Sequence, residues 1–200
     1  MIEFDDFVGG APALDFVNTV GGIRTGAHTE KLQSYDDLVQ WAVLAGMFGR
    51  KEADSLLAQG RDGPSAADQA LLRAKNFREA LHRVLAARLK GKAVPVDALD
   101  CVNAEIGRAM AHARLKKTGD GYAWAWRIGP GELDAPLWIA ARSAAELLTT
   151  RDIDRLRECE SETCGWYFLD LSKNRSRRWC AMKGCGNRAK LRRYRSAKSA

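Results

Sequence analysis

From Ser34 to Thr150 the apolar side chains return at steps of three and four, the spacing that lines one face of an α-helix. Leu38, Trp41, Ala42 and Ala45 form the first such stripe. Ser34, with Asp37 three residues on, gives it a capping-box start, and Gly46 gives it a stop. A shorter helix over about 51–58 follows. Ser65 and Asp68 repeat the start signal ahead of a long stripe: Leu71, Leu72, Phe77, Ala80, Leu81, Val84, Leu85 and Leu89, ending near Gly91. Pro95 opens the next helix, with Leu99, Val102, Ile106 and Met110 expected on its inner face. Asp134 and Pro136 open a last one, to about Thr150, with Leu137, Ala140, Ala144, Leu147 and Leu148 inward.

The period changes to two between these last helices. Tyr122, Trp124, Trp126 and Ile128 alternate with Ala123, Ala125 and Arg127, and Thr118-Gly119-Asp120-Gly121 supplies a turn. A β-hairpin is therefore predicted over about 113–128. Ahead of Ser34, the stretch Ala13 to Thr19 reads as a turn or two of helix, and Gly21, Gly22 and Gly26 read as loop. Residues 1–150 are thus expected to form a mainly helical domain with one hairpin. With 46% apolar residues the chain can build a core.

Charge separates the rest of the chain from this domain. Residues 1–150 carry 18 basic and 19 acidic side chains, whereas residues 151–200 carry 14 and 6. From Leu171 to the end there are 11 Lys or Arg and no Asp or Glu. The net charge of +7 therefore belongs to a C-terminal module of residues 151–200, and it points to a polyanionic partner for that module. The start, MIEFDDFVGG, has no basic segment followed by an apolar one, so it does not read as a signal peptide. No apolar run approaches the ~18 residues of a membrane span. A cytoplasmic protein is expected, without membrane contact, and there paired cysteines serve metal more often than disulfides.

The module holds four of the five cysteines, as Cys159-x4-Cys164 and Cys180-x4-Cys185. Structural zinc takes four ligands in a tetrahedron, and two Cys pairs supply them. Leu156 to Glu158 and Trp166 to Leu169 can form a hairpin with Cys159 and Cys164 at its tip. Cys180 and Cys185 precede a basic helix over about 188–196, with Asn187 expected to cap it. A hairpin knuckle plus a pair at a helix start is a treble-clef-like arrangement around one structural Zn2+. Free buried thiols or disulfides are the competing readings, and four cysteines within so short a stretch favour zinc. Cys101, alone between Leu99 and Val102, reads as a core residue. The fold class is thus α+β: the helical domain with its hairpin, then the small finger. With no Gly/Ser or Pro linker near Thr150, the two parts are expected to pack together.

The run Cys164-Gly-Trp-Tyr-Phe-Leu-Asp170, then Arg177-Arg178-Trp179-Cys180 and Cys185-Gly186-Asn187-Arg188, resembles the CGNR zinc finger. In that family the finger follows an ABATE domain, to whose N-terminal pattern Leu14-Asp15-Phe16-Val17-Asn18-Thr19 and Leu38-x-x-Trp41 are similar. The resemblance implies a regulator of transcription.

DNA binding is accordingly the expected function, with RNA binding or protein–protein contact through the finger as alternatives. Phosphate contacts need exposed cations. The candidates are Arg188, Lys190, Arg192, Arg193 and Arg195 on the last helix, and Lys173, Arg175, Arg177 and Arg178 in the loop before Cys180. Leu191 and Tyr194 are expected to turn toward the finger's own core, built on Trp166, Phe168 and Trp179. The three histidines, His28, His82 and His112, assemble no catalytic set with their neighbours, so an enzyme is not expected. For the helical domain two roles stay open, homodimerisation and sensing of a small-molecule ligand. Asp15, Asn18, Thr19, Arg24 and His28 are the polar cluster that could line a pocket, a turn-and-cap role being the alternative.

Overall fold

A computed structural model describes residues 7–24 and 26–198. Met1–Asp6, on which much of the signal-peptide reading rests, lie outside the described residues. The chain begins with α1 (Pro12–Val17), then β1 (Val20–Gly22) and β2 (His28–Glu30), then α2 (Tyr35–Leu44), α3 (Arg50–Asp62), α4 (Pro64–Leu89) and α5 (Val96–His112). A hairpin of β3 (Ala113–Thr118) and β4 (Gly121–Trp126) leads to α6 (Ala135–Thr149). A 3-10 turn at Arg151–Arg155 connects to β5 (Leu156–Glu158) and β6 (Tyr167–Leu169). A π-type turn, Met182–Gly186, runs straight into α7 (Asn187–Lys198). The architecture is α+β, with helices around one core and small antiparallel hairpins at its edges.

The core is centred on the short α1. Ala13, Leu14 and Phe16 are wholly buried, and Phe16 packs on Trp41 of α2 at 4.7 Å and on Phe77 of α4 at 6.1 Å. So short a helix has no stability of its own in water. Its surroundings hold it: the backbone N–H of Ala13 donates to Ser143 Oγ on α6. The capping box forms as expected, with Ser34 Oγ accepting from the Asp37 N–H and the Asp37 carboxylate accepting from the Ser34 N–H. The expected Ser65 cap does not form: α4 begins one residue earlier at Pro64, which has no N–H to satisfy.

Two inward faces differ from expectation. On α5 the buried residues are Ala98, Val102, Glu105 and Ala109, while Leu99 and Met110 stay about two-fifths exposed. Val102 and the half-buried Ile106 do face the core, whereas Leu99 and Met110 lie off the buried face, which Ala98, Glu105 and Ala109 complete. Leu72 of α4 is likewise exposed. The expected loop at Gly21–Gly22 is half of a hairpin, β1 pairing with β2 from Val20↔Glu30 to Gly22↔His28. The predicted β3–β4 hairpin is present, in register from Ala113↔Trp126 to Thr118↔Gly121.

Candidate metal centre and nucleic-acid interface

The finger grows out of the main core. β5 and β6 pair from Leu156↔Leu169 to Glu158↔Tyr167, and Leu156, Tyr167 and Leu169 pack into the helical domain's cluster. The outer edge of β6 is closed by the N-terminal segment. Asn18 Oδ1 accepts the Tyr167 N–H at 2.9 Å, and its Nδ2 donates to the Tyr167 carbonyl at 2.8 Å. The Leu169 N–H donates to the Gly9 carbonyl. A side-chain amide thus takes the place of a neighbouring strand. Trp166 Nε1 donates to the Val20 carbonyl, so the hairpin β1–β2 is bound to the finger as well.

Beyond the tip of β5 the Cys159 N–H donates to the Trp166 carbonyl, which brings Cys159 and Cys164 together. A second, smaller core holds the four cysteines and the fully buried Phe168, flanked by Trp166 and Trp179. All four sulfurs lie within 4.8 Å of one another and are buried. The Cys164–Cys180 and Cys180–Cys185 separations are 3.7 and 3.6 Å. A tetrahedron with Zn–S bonds of about 2.3 Å has edges of about 3.8 Å, so the donor set fits zinc. The finger holds one structural zinc.

The loop from β6 to Cys180 is built on Asp170, wholly buried at the strand's end. Its carboxylate accepts from the Ser172 hydroxyl and N–H and from the Arg177 N–H, and these bonds hold it below the usual carboxylate range. Arg177 then spends its guanidinium on the carbonyls of Trp179, Leu169, Val8 and Cys180, and stacks 4.3 Å over Phe168. Arg178 pairs with Glu160. Arg188 donates to Cys185 Sγ at 3.0 Å.

These three arginines are engaged within the protein, and Arg178 and Arg188 are exposed beside those contacts. Lys173, Arg175, Lys190, Arg192 and Arg193 are in no ion pair among the described residues. Lys173, Arg175, Lys190 and Arg193 are exposed, and Arg192 is half-buried. Arg195 is exposed at the outer part of α7. Lys183, in the π-type turn, is exposed too, and sequence reasoning passed over it. Leu191 and Tyr194 do not turn inward: they are about half exposed, and Ala189 is the buried residue of α7. The helix meets the finger only through its first turn. Asn187 does not cap it; the residue is helical, and its Nδ2 reaches back to the Lys183 carbonyl.

The match to protein families rests on these two bodies. Residues 10–151 match the ABATE family, described as "Putative stress-induced transcription regulator", and residues 155–198 match the CGNR zinc finger. The chain belongs to the ABATE family and ends in a CGNR finger. A search of curated proteins finds no match. The four signature residues of CGNR each have a structural task. Cys185 is a metal ligand. Gly186 is required because a Cβ there would lie 2.7 Å from the Trp179 ring. Asn187 closes the turn, and Arg188 bonds the ligand sulfur.

Among the described residues, the polar cluster of the ABATE domain is engaged in bonds within the fold. Asp15 accepts the Gly9 N–H, Asn18 holds β6, and Thr19 Oγ1 donates to the Phe16 carbonyl. Arg24 bonds the Val17 carbonyl and pairs with Glu79. His28 is exposed against the Gly26 carbonyl. The cleft beside Arg24 and His28 measures about 130 Å³, below the ~300 Å³ of an ordinary ligand site. Buried Arg78 organises this corner, with both guanidinium arms on Glu30, one on Thr19 Oγ1, and its Nε on Glu79.

Proposed function

We propose that this protein is a cytoplasmic, non-enzymatic regulator of transcription that binds DNA through α7 and the loop at 172–176. The observation that carries the reading is the mounting of α7. Its first turn is fixed at the metal centre, and the rest projects Lys190, Arg192 and Arg193 with no acidic partner. Lys173 and Arg175 add a second cationic point. A helix free on most of its circumference suits a groove, and the loop cations suit the phosphates beside it. A four-sulfur zinc site has no open coordination position, which supports binding over catalysis. The family description supports the regulatory role. No helix of the described residues is long and apolar enough to cross a membrane.

The test is a binding titration of the zinc-loaded chain with random duplex DNA and with single-stranded RNA. DNA binding stronger than RNA binding is expected. RNA preference would favour the second reading, to which exposed Tyr194 lends support because its ring can stack on an unpaired base. No binding to either at low salt would remove the nucleic-acid role.

For the ABATE domain, self-association has better support than ligand sensing. Val96, Leu99 and Met110 are exposed apolar residues on one side of α5, and Val96 is 74% exposed. A dimeric mass in solution, returned to monomer by Leu99→Glu, is expected. A monomer at all concentrations contradicts it.

A further inference from the structure

We propose that Arg188 is a positioning residue of the metal centre: it bonds the Cys185 sulfur, offsets the charge of the four thiolates, and locks α7 to the site. The family's signature arginine would thus serve the metal and not the nucleic acid. Four thiolates around Zn2+ leave two negative charges in a buried cluster. The Cys180 N–H donates to Cys159 Sγ at 3.4 Å, a neutral donor. Arg188 brings a full positive charge to Cys185 at 3.0 Å, and charge-assisted bonds are about twice as strong as neutral ones.

The position of Arg188 fits this task. A cavity of about 650 Å³ opens between the finger and the N-terminal segment, and its wall includes Cys164, Cys180 and Cys185. Phe7, Trp166 and Met182 line its apolar part, and Arg188 stands where it reaches Cys185. Of the three cysteines on this wall, Cys185 is the one that Arg188 bonds. Arg188 is also the second residue of α7, so the same bond fixes the helix's direction as it leaves the π-type turn.

The test compares Arg188→Gln, Arg188→Lys and Arg193→Gln in the full-length, metal-loaded protein. Zinc release to a chromogenic chelator and the sulfur-to-metal charge-transfer band of the cobalt-substituted form are read. Arg188→Gln is expected to release zinc about 10-fold faster, the scale of outer-shell effects. Its cobalt band should move to lower energy, since a thiolate that loses a hydrogen bond gives up its electrons more readily. Arg188→Lys, which keeps a cationic donor where Gln offers only a shorter, neutral amide, should restore part of both, and Arg193→Gln should change neither. Unchanged release and an unchanged band in Arg188→Gln overturn the proposal. Should Arg188→Gln fail to fold, Arg188→Met, which has no donor, decides: a band displaced to lower energy supports the bond and a wild-type band refutes it. Neither readout uses nucleic acid, so the result stands apart from the DNA-binding reading.

Discussion

At the scale of the residue, the side chains that matter most are those whose partners lie far along the chain. Asn18 is 149 positions from Tyr167 yet completes the edge of β6 with both ends of its amide. Removing it leaves a buried N–H and carbonyl unpaired, so Asn18→Ala should cost about 2–3 kcal/mol by chemical denaturation. Asn18→Asp, which buries a carboxylate and sets an oxygen against the Tyr167 carbonyl, should cost at least as much. Arg78 is the second case. Its guanidinium is nearly buried and compensates Glu30 and Glu79, so Arg78→Met should cost about 3 kcal/mol in the same assay. Neither role leaves a local pattern: a lone Asn after a helix and one Arg on a long amphipathic helix look ordinary in sequence. The four cysteines were legible because metal ligation forces residue type and spacing together. The bonds that the nearby arginines make were not legible, because cationic count carries no information on what each guanidinium touches.

At the scale of the element, periodicity located the helices and alternation located the β3–β4 hairpin. It erred in part on one inner face. On α5 Val102 and Ile106 face the core as expected, but Ala98, Glu105 and Ala109 share that face in place of Leu99 and Met110. The β1–β2 hairpin was missed because two of the three residues of β1 are glycine, so there is no alternation to detect. The finger itself is held in two ways. β5 and β6 belong to the main core through Leu156, Tyr167 and Leu169, whereas residues beyond Asp170 depend on the small cluster around the metal. Chelating the zinc, or the substitution Cys180→Ser, should therefore release 171–198 alone. Hydrogen exchange should show amides of 167–169 still protected and those of α7 lost. Full protection of α7 without metal would contradict this division.

At the scale of the whole molecule, the finger and the helical domain are one folded unit with an uneven charge. The contact between His82 of α4 and Tyr167 of β6 joins them, the rings stacked at 5.3 Å and the hydroxyl 3.2 Å from Nε2. Burial, with the Arg24 cation nearby, holds His82 down at about 4. It is neutral in the folded protein but takes a proton in the unfolded chain below about pH 6.5. Stability from this residue is therefore full above pH 6.5 and lost as pH falls toward 4. Thermal unfolding at pH 7 and pH 5 should show a smaller drop for His82→Gln than for the wild type; equal drops would contradict the assignment.

The charge asymmetry, legible in the sequence, falls in the structure on α7 and the loop before Cys180, and the central claim is that these cations meet phosphate. The most direct measurement is the salt dependence of duplex-DNA affinity for the wild type and for Lys190→Ala/Arg193→Ala. Each phosphate neutralised contributes about −0.9 to the log–log slope, so five free cations predict about −4 to −5 and the double variant a slope shallower by about 2. A measurable wild-type slope that the double variant leaves unchanged would place the contact elsewhere and contradict the account.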